Sequence, residues 1–431
     1  MKNQFILIVL SFFILGNINA QQTPASKQTK DYSIVGATAH IGNGKIIENS
    51  LLVFSNGKLT YVGNNTSSNQ KGEIINAKGK HVYPGFIAAN TSLGLAEIDA
   101  VRATRDFDEV GNFLPHIRSI IAYNAESKVV ETMRPNGVLI AQITPRGGTI
   151  SGTSSVVQLD AWNWEDAVIN LDDAVHINWP STFSRGRWWL GEDASLKPNK
   201  NYSKAVNTIT DFFTKAKTYL SGSKTPKNLP YEALEKVFSG TQKVFVHVNG
   251  EKAIVDVINN FNKLNIKNIV LVKAHGAHKV AELIKNNNVP VILERSHRLP
   301  DNEDQDYDLP YRMAKILTDK GILVGLGMEG EMERMSARNL PFYAGTYAAY
   351  GLDKEKAVQI ITSNNAKILG IDAKTGTLEV GKDATLFISE GDALDMRTNI
   401  ISNAFIQGRK ISLETHQTKL WKRYSNKYKN Q

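Results

Sequence analysis

The chain has 431 residues, a formal charge of +9, no cysteine, and ordinary apolar (42%) and charged (22%) fractions. That length accommodates a large α/β barrel, which takes roughly 250 residues, together with a smaller unit. Lack of cysteine excludes thiolate metal sites, cysteine nucleophiles and disulfides, so any metal must rely on His, Asp, Glu or a modified lysine.

Lys2, the apolar run from Phe5 to Leu15 and the small residue Ala20 before Gln21-Gln22 have the order of a secretory signal peptide. Residues 1–20 are therefore expected to be removed, leaving an exported chain, periplasmic or secreted, that begins at Gln21. With no cysteine to acylate, a lipoprotein is excluded. No later stretch is long and apolar enough to span a bilayer, so no transmembrane segment is expected.

From Tyr32 to His81, "YSIVGATAHIGNG", "SLLVFSNGKLTYVG" and "GEIINAKGKHV" set β-branched and apolar residues between glycine and Asn-Gly turn signals. The same texture returns near the other end in "GTLEVGKDATLFIS" and "NAFIQGRKISL". These segments predict one small β-sandwich built from both termini, residues 21–83 and 371–415. Between them the period changes. "KVFVHVNG" precedes a helix with Ile254, Val257, Ile258, Phe261 and Leu264 on one face, and "NIVLVKAHG", "VPVILERS" and "GILVGLGME" are each followed by a helical segment. Strand–helix alternation predicts parallel strands buried on both faces, and a (β/α)8 TIM-like barrel over 84–370 is the economical closure. An open doubly wound sheet is disfavoured because no glycine-rich dinucleotide loop follows a strand.

Three further stretches bear on function. "TPRGGTISGTSS" could present backbone amides of Gly147 and Gly148 to an anionic substrate, although it lacks the Lys-Ser/Thr ending of a phosphate loop and reads equally as an ordinary barrel loop. "WNWEDA" and "GRWWLGED" place four tryptophans where they would cover the barrel or stack on a ligand. The tail 416–431 interleaves aromatics with Lys419, Lys422, Arg423, Lys427 and Lys429. A solvated helical end, touching an anionic surface, accounts for it better than nucleic-acid binding in an exported protein.

The order of "GKHVYPGFI", a barrel, "RNLPFYAGTYAAYGL", "AVQIITSNNAKILGI" and "GTLEVGKDATLFI" resembles the amidohydrolase superfamily, and most of all its secreted imidazolonepropionase-like members. The resemblance spans nearly the whole mature chain. It implies a barrel that hydrolyses carbon–nitrogen bonds, such as those of cyclic amides, in a small-molecule substrate. It also implies a divalent metal such as zinc, held in part by an Asp-x-His-x-His ending of the first strand. Laid on this chain, those positions are Ala88, Asn90 and Ser92, whose side chains are far weaker metal donors than imidazole.

By the same resemblance His247, at the end of its strand, stands where a further ligand is expected. His275 matches the ligand of the sixth strand by its His-Gly pair, whereas aligning the helix "KVAELI" moves it out of register. Glu329 stands where the family's closing strand supplies a metal-binding aspartate that takes a proton from the attacking water, and it is one methylene longer. These residues predict a hydrolase with weak or no metal. A non-catalytic binding or scaffold protein on the same barrel is the alternative.

Overall fold

A computed structural model of the chain describes residues 23–193, 195–330 and 332–429, so the predicted signal peptide lies outside the described residues. Both termini enter one eight-stranded sheet. Its N-terminal strands are β1 (Tyr32–His40), β2 (Ile46–Ser55), β3 (Lys58–Asn64), β4 (Glu73–Asn76) and β5 (His81–Pro84). Strand β1 pairs with β4 through residues 32–35 and with β5 through residues 38–39, so the sheet forks along it. The C-terminal strands complete this sheet by antiparallel pairing onto β5, where Leu386 to Ser389 face Pro84 to His81. Ile34, Leu52, Phe54, Leu386 and Phe405 form its own apolar core.

The second sheet is the barrel. Its strands are β6 (Phe86–Thr91), β7 (Val138–Ile143), β8 (Ile150–Gln158) and β9 (Val168–Asn178). After a short side hairpin of β10 (Phe183–Ser184) and β11 (Lys197–Pro198) come β12 (Lys243–Val248), β13 (Ile269–Lys273), β14 (Val291–Leu293) and β15 (Val324–Leu326). The first and last strands close through a parallel bridge between Ala89 and Gly327 and a hydrogen bond from Met328 N to Ala89 O of 2.9 Å. A Cβ at Gly327 would stand 2.6 Å from Ile292 Cγ2, so the seam needs glycine. Asn365, from the helix Ser363–Leu369, stitches the same seam by donating to Ile87 O and Leu326 O, both at 2.8 Å.

One strand departs from the all-parallel barrel expected from the sequence, for β8 runs antiparallel to both β7 and β9. The connections 144–149 and 159–167 are too short for a parallel crossover, which takes a dozen or more residues, so the chain turns back as a meander. Among the described residues the longer helices come only after β9, with Tyr202–Ser221, Glu251–Lys263 and Leu309–Asp319 each burying an apolar stripe. The helical region that follows the last barrel strand ends in two helices, Lys354–Ile360 and Ser363–Leu369, separated at Thr362.

Inside the barrel, Ile87, Ile140, Val156, Ala174, Phe245, Val270 and Ile292 fill the lumen below the mouth. Because side chains alternate along a strand, the residues two positions nearer the mouth also point inward. They include Gln142, Ser154, His176 and His247, and a polar layer therefore lies directly on the apolar plug.

Candidate functional site

The polar layer is a closed ring of hydrogen bonds. Asn90 N donates to Gln142 Oε1 at 3.0 Å, and Gln142 Nε2 donates to Asp173 Oδ2 at 2.8 Å. Ser154 Oγ lies 2.7 Å from Asp173 Oδ1 and 2.9 Å from His176 Nε2. His176 Nδ1 is 3.1 Å from His247 Nε2, and His247 Nδ1 is 3.1 Å from Glu329 Oε2. Asn90 Nδ2 closes the circuit on Glu329 Oε2 at 2.7 Å while also reaching Met328 O at 2.7 Å. Fully satisfied networks of this kind fix side-chain positions, because in a low-dielectric interior an unmade hydrogen bond is costly.

Asparagine at position 90 has a backbone reason as well. Its φ is 54°, in the left-handed region that asparagine tolerates better than most residues, at a register shift in the pairing of β6 with β7. The same turn points Asn90 Oδ1 at Arg146 Nη1 (2.8 Å), and Asn90 O accepts from Arg146 Nη2 (2.9 Å).

Arg146 and Lys273 supply the positive charge. Lys273 Nζ is 3.2 Å from Glu329 Oε1, and Arg146 lies 4.0 Å from Glu329 Oε2 and 3.1 Å from Glu333 Oε1. Glu333 also takes hydrogen bonds from Thr91 Oγ1 (2.8 Å) and from Ser92 N (2.7 Å) and Oγ (2.5 Å). Burial alone would raise the Glu329 carboxyl, but His247, Arg146 and Lys273 hold it far below the usual carboxylate range. Burial pushes the imidazoles of His247 and His176 down, opposed at His247 by the Glu329 carboxylate beside it. Asp173 goes the other way, pushed up to about 6 by burial against the hydrogen bonds from Ser154 and Gln142.

The structure brings Glu329, His247 and Asn90 together but places the other residues singled out from sequence elsewhere. Ala88 packs with the outer core, among residues facing the helices, because the register shift in β6 breaks the even spacing on which its assignment rested. Ser92 is tied to Glu333. His275 is held by Glu294 Oε1 at 2.7 Å and Asp301 Oδ2 at 2.9 Å, with Arg298 bridging the two carboxylates. Burial opposes protonation of His275, but these two hydrogen bonds raise its pKa.

Gly147 and Gly148 sit in the β7–β8 turn with φ of 79° and 58°. Their carbonyls face inward to the loop, accepting from Ser151 Oγ (2.6 Å) and Asn178 Nδ2 (2.8 Å) respectively. The feature of that loop that reaches the site is Arg146. Trp162, Trp188 and Trp189 are exposed, and Trp164 is partly buried against the main core.

A divalent cation does not fit these residues. Asn90 turns its NH2 toward Glu329 and its carbonyl toward a guanidinium, each His247 nitrogen faces another side chain, and two cations already flank the carboxylate. Among the described residues no group of three or more His, Asp or Glu could hold a metal ion.

Sequence reading missed His176, Arg146, Lys273, Gln142, Asp173 and Glu333. The inward step of two from Ile140 to Gln142 and from Ala174 to His176 was an available signal. The contacts of Arg146 and Lys273 were not, since they depend on how the β7–β8 turn and the end of β13 are placed around the mouth.

Comparison with known proteins agrees with this architecture. The model of the family described as "Amidohydrolase family" matches residues 208–412. The 5'-deoxyadenosine deaminase of Methanosarcina acetivorans is 23% identical over 362 residues, covering 79% of this chain and 80% of its own length. Its namesake from Methanobrevibacter smithii is 20% identical over 386 residues, covering 82% of each chain. Among solved structures, an amidohydrolase from Thermotoga maritima superposes with a TM-score of 0.76 at 22% identity, over 88% of this chain and 99% of that one, a likeness of fold.

Proposed function

We propose that this chain is an exported amidohydrolase-superfamily protein whose barrel mouth hydrolyses a carbon–nitrogen bond, of the cyclic-amide kind, in a small-molecule substrate, a reading supported by the family model over residues 208–412 and by the likeness of fold. The observation that carries this reading is the Glu329 carboxylate at the closing strand, oriented on Oε2 by Asn90 and His247 and flanked on Oε1 by Lys273. In this reading Oε1 orients the attacking water. The water oxygen bonds to the carbonyl carbon, Glu329 takes its proton, and the same proton passes to the departing nitrogen as the C–N bond breaks. Lys273 and Arg146 supply positive charge for the developing oxyanion, the part the family's metal plays elsewhere. Since the same cations stabilise ionised Glu329, it is a weak base, and turnover is expected to be slow.

The test is a hydrolase screen over cyclic amides and deaminase substrates with wild type, Glu329→Gln and Lys273→Met. Loss of turnover by about a hundredfold or more in each variant is expected. Turnover equal to wild type in both would overturn the assignment. The closed ring favours a second reading, ligand binding without turnover. It is distinguished by a substrate-class ligand that raises the melting temperature of wild type but is recovered unchanged.

A further inference from the structure

The helix His416–Lys429 ends the described chain, and none of its residues is buried. It is attached through its first turn, where His416 N donates to Glu131 Oε1 at 2.5 Å. Trp421, Tyr424 and Tyr428 are 66%, 56% and 63% exposed. At positions i, i+3 and i+7 they share one stripe within an arc of about 60°. Lys419, Lys422, Arg423, Lys427 and Lys429 occupy the remaining arc, and the helix contains no acidic residue. Lys422 and Lys419 lie 2.9 and 3.9 Å from Glu414, just before the helix. Arg423 and Lys427 lie over the rings of their neighbours Tyr424 and Tyr428 at 5.7 and 5.4 Å, which keeps charge and aromatic stripe side by side.

We propose that this helix docks flat on an anionic phospholipid surface. The aromatic stripe would enter the headgroup layer and the cations would reach lipid phosphates on either side. Tryptophan and tyrosine suit that layer because each joins an apolar ring to a polar edge. The five cations, two of them paired with Glu414, outnumber that one neighbouring carboxylate and complement a negative surface. Among the described residues no helix is long and apolar enough to cross a membrane, so the contact is peripheral.

Sedimentation of the full chain with vesicles of phosphatidylglycerol and phosphatidylcholine in equal parts, against phosphatidylcholine alone, tests this. Binding to the anionic vesicles only, suppressed by salt, is expected. Removing three cations in R423Q/K427Q/K429Q should weaken it about a hundredfold. W421A/Y424A/Y428A should also weaken it, and both variants should keep the wild-type melting temperature because the helix is exposed. Equal binding to both vesicle types, no binding, or unchanged binding by the charge variant would overturn the proposal. So would tighter binding of a single-stranded oligonucleotide than of anionic vesicles at the same salt.

Discussion

Asp173 offers the sharpest test of the ring. Its carboxyl is buried, its folded pKa is about 6, and the ordinary value is 3.8. The folded state therefore holds a proton more tightly than the unfolded chain does. Below about pH 4 both states are protonated and the group contributes no penalty. As pH rises toward 6 the unfolded chain releases the proton first, so stability falls, and above the folded pKa the penalty is complete. Two pKa units correspond to about 3 kcal/mol. Asp173→Asn is the matched perturbation, since an amide can accept from Gln142 and donate to Ser154 as the protonated acid does. Urea unfolding of wild type and variant at pH 4 and pH 8 should show the variant near-equal at pH 4 and more stable by up to about 3 kcal/mol at pH 8. A difference that stays constant across that range, or that favours the variant more strongly in acid, would refute the assignment of a buried carboxyl that folding keeps protonated.

Asn365→Ala removes two hydrogen bonds across the barrel seam and opens a buried space, and should cost about 2–4 kcal/mol in denaturant unfolding. Elemental analysis of protein purified without chelator should find zinc well below one equivalent, and added zinc should barely move the melting temperature. Introducing Asn90→His and Ser92→His alone should not raise zinc affinity, because Arg146 remains beside position 90 and Glu333 beside position 92. If the chain is exported as proposed, N-terminal sequencing of protein recovered outside the cytoplasm should begin at or near Gln21; intact Met1 would refute the cleavage reading.

The barrel was legible because its strands from Lys243 onward are short apolar runs, each followed by a helix with an apolar face, a pattern that local physics reports directly. The reversed strand β8 was not legible by the same rule. "ISGTSSVVQ" has the period of a strand in either direction, and only the shortness of its connections decides which way it runs. Glu329 and His247 could be singled out from sequence because they lie at or just past the mouth ends of barrel strands, where side chains converge. The place of Asn90 was not legible in the sequence, because this asparagine serves a left-handed backbone and joins a carboxylate to a guanidinium, contacts that appear only in the fold. Arg146 comes from the β7–β8 turn and Lys273 from the end of β13, and in sequence each is one cation among 51. What makes them part of the centre is their approach to Glu329, a carboxylate that burial would otherwise leave uncompensated. Removing either cation while keeping Glu329 leaves buried negative charge. Asn90 at the first strand and the side-chain cations at the mouth are thus parts of one electrostatic balance around the Glu329 carboxylate.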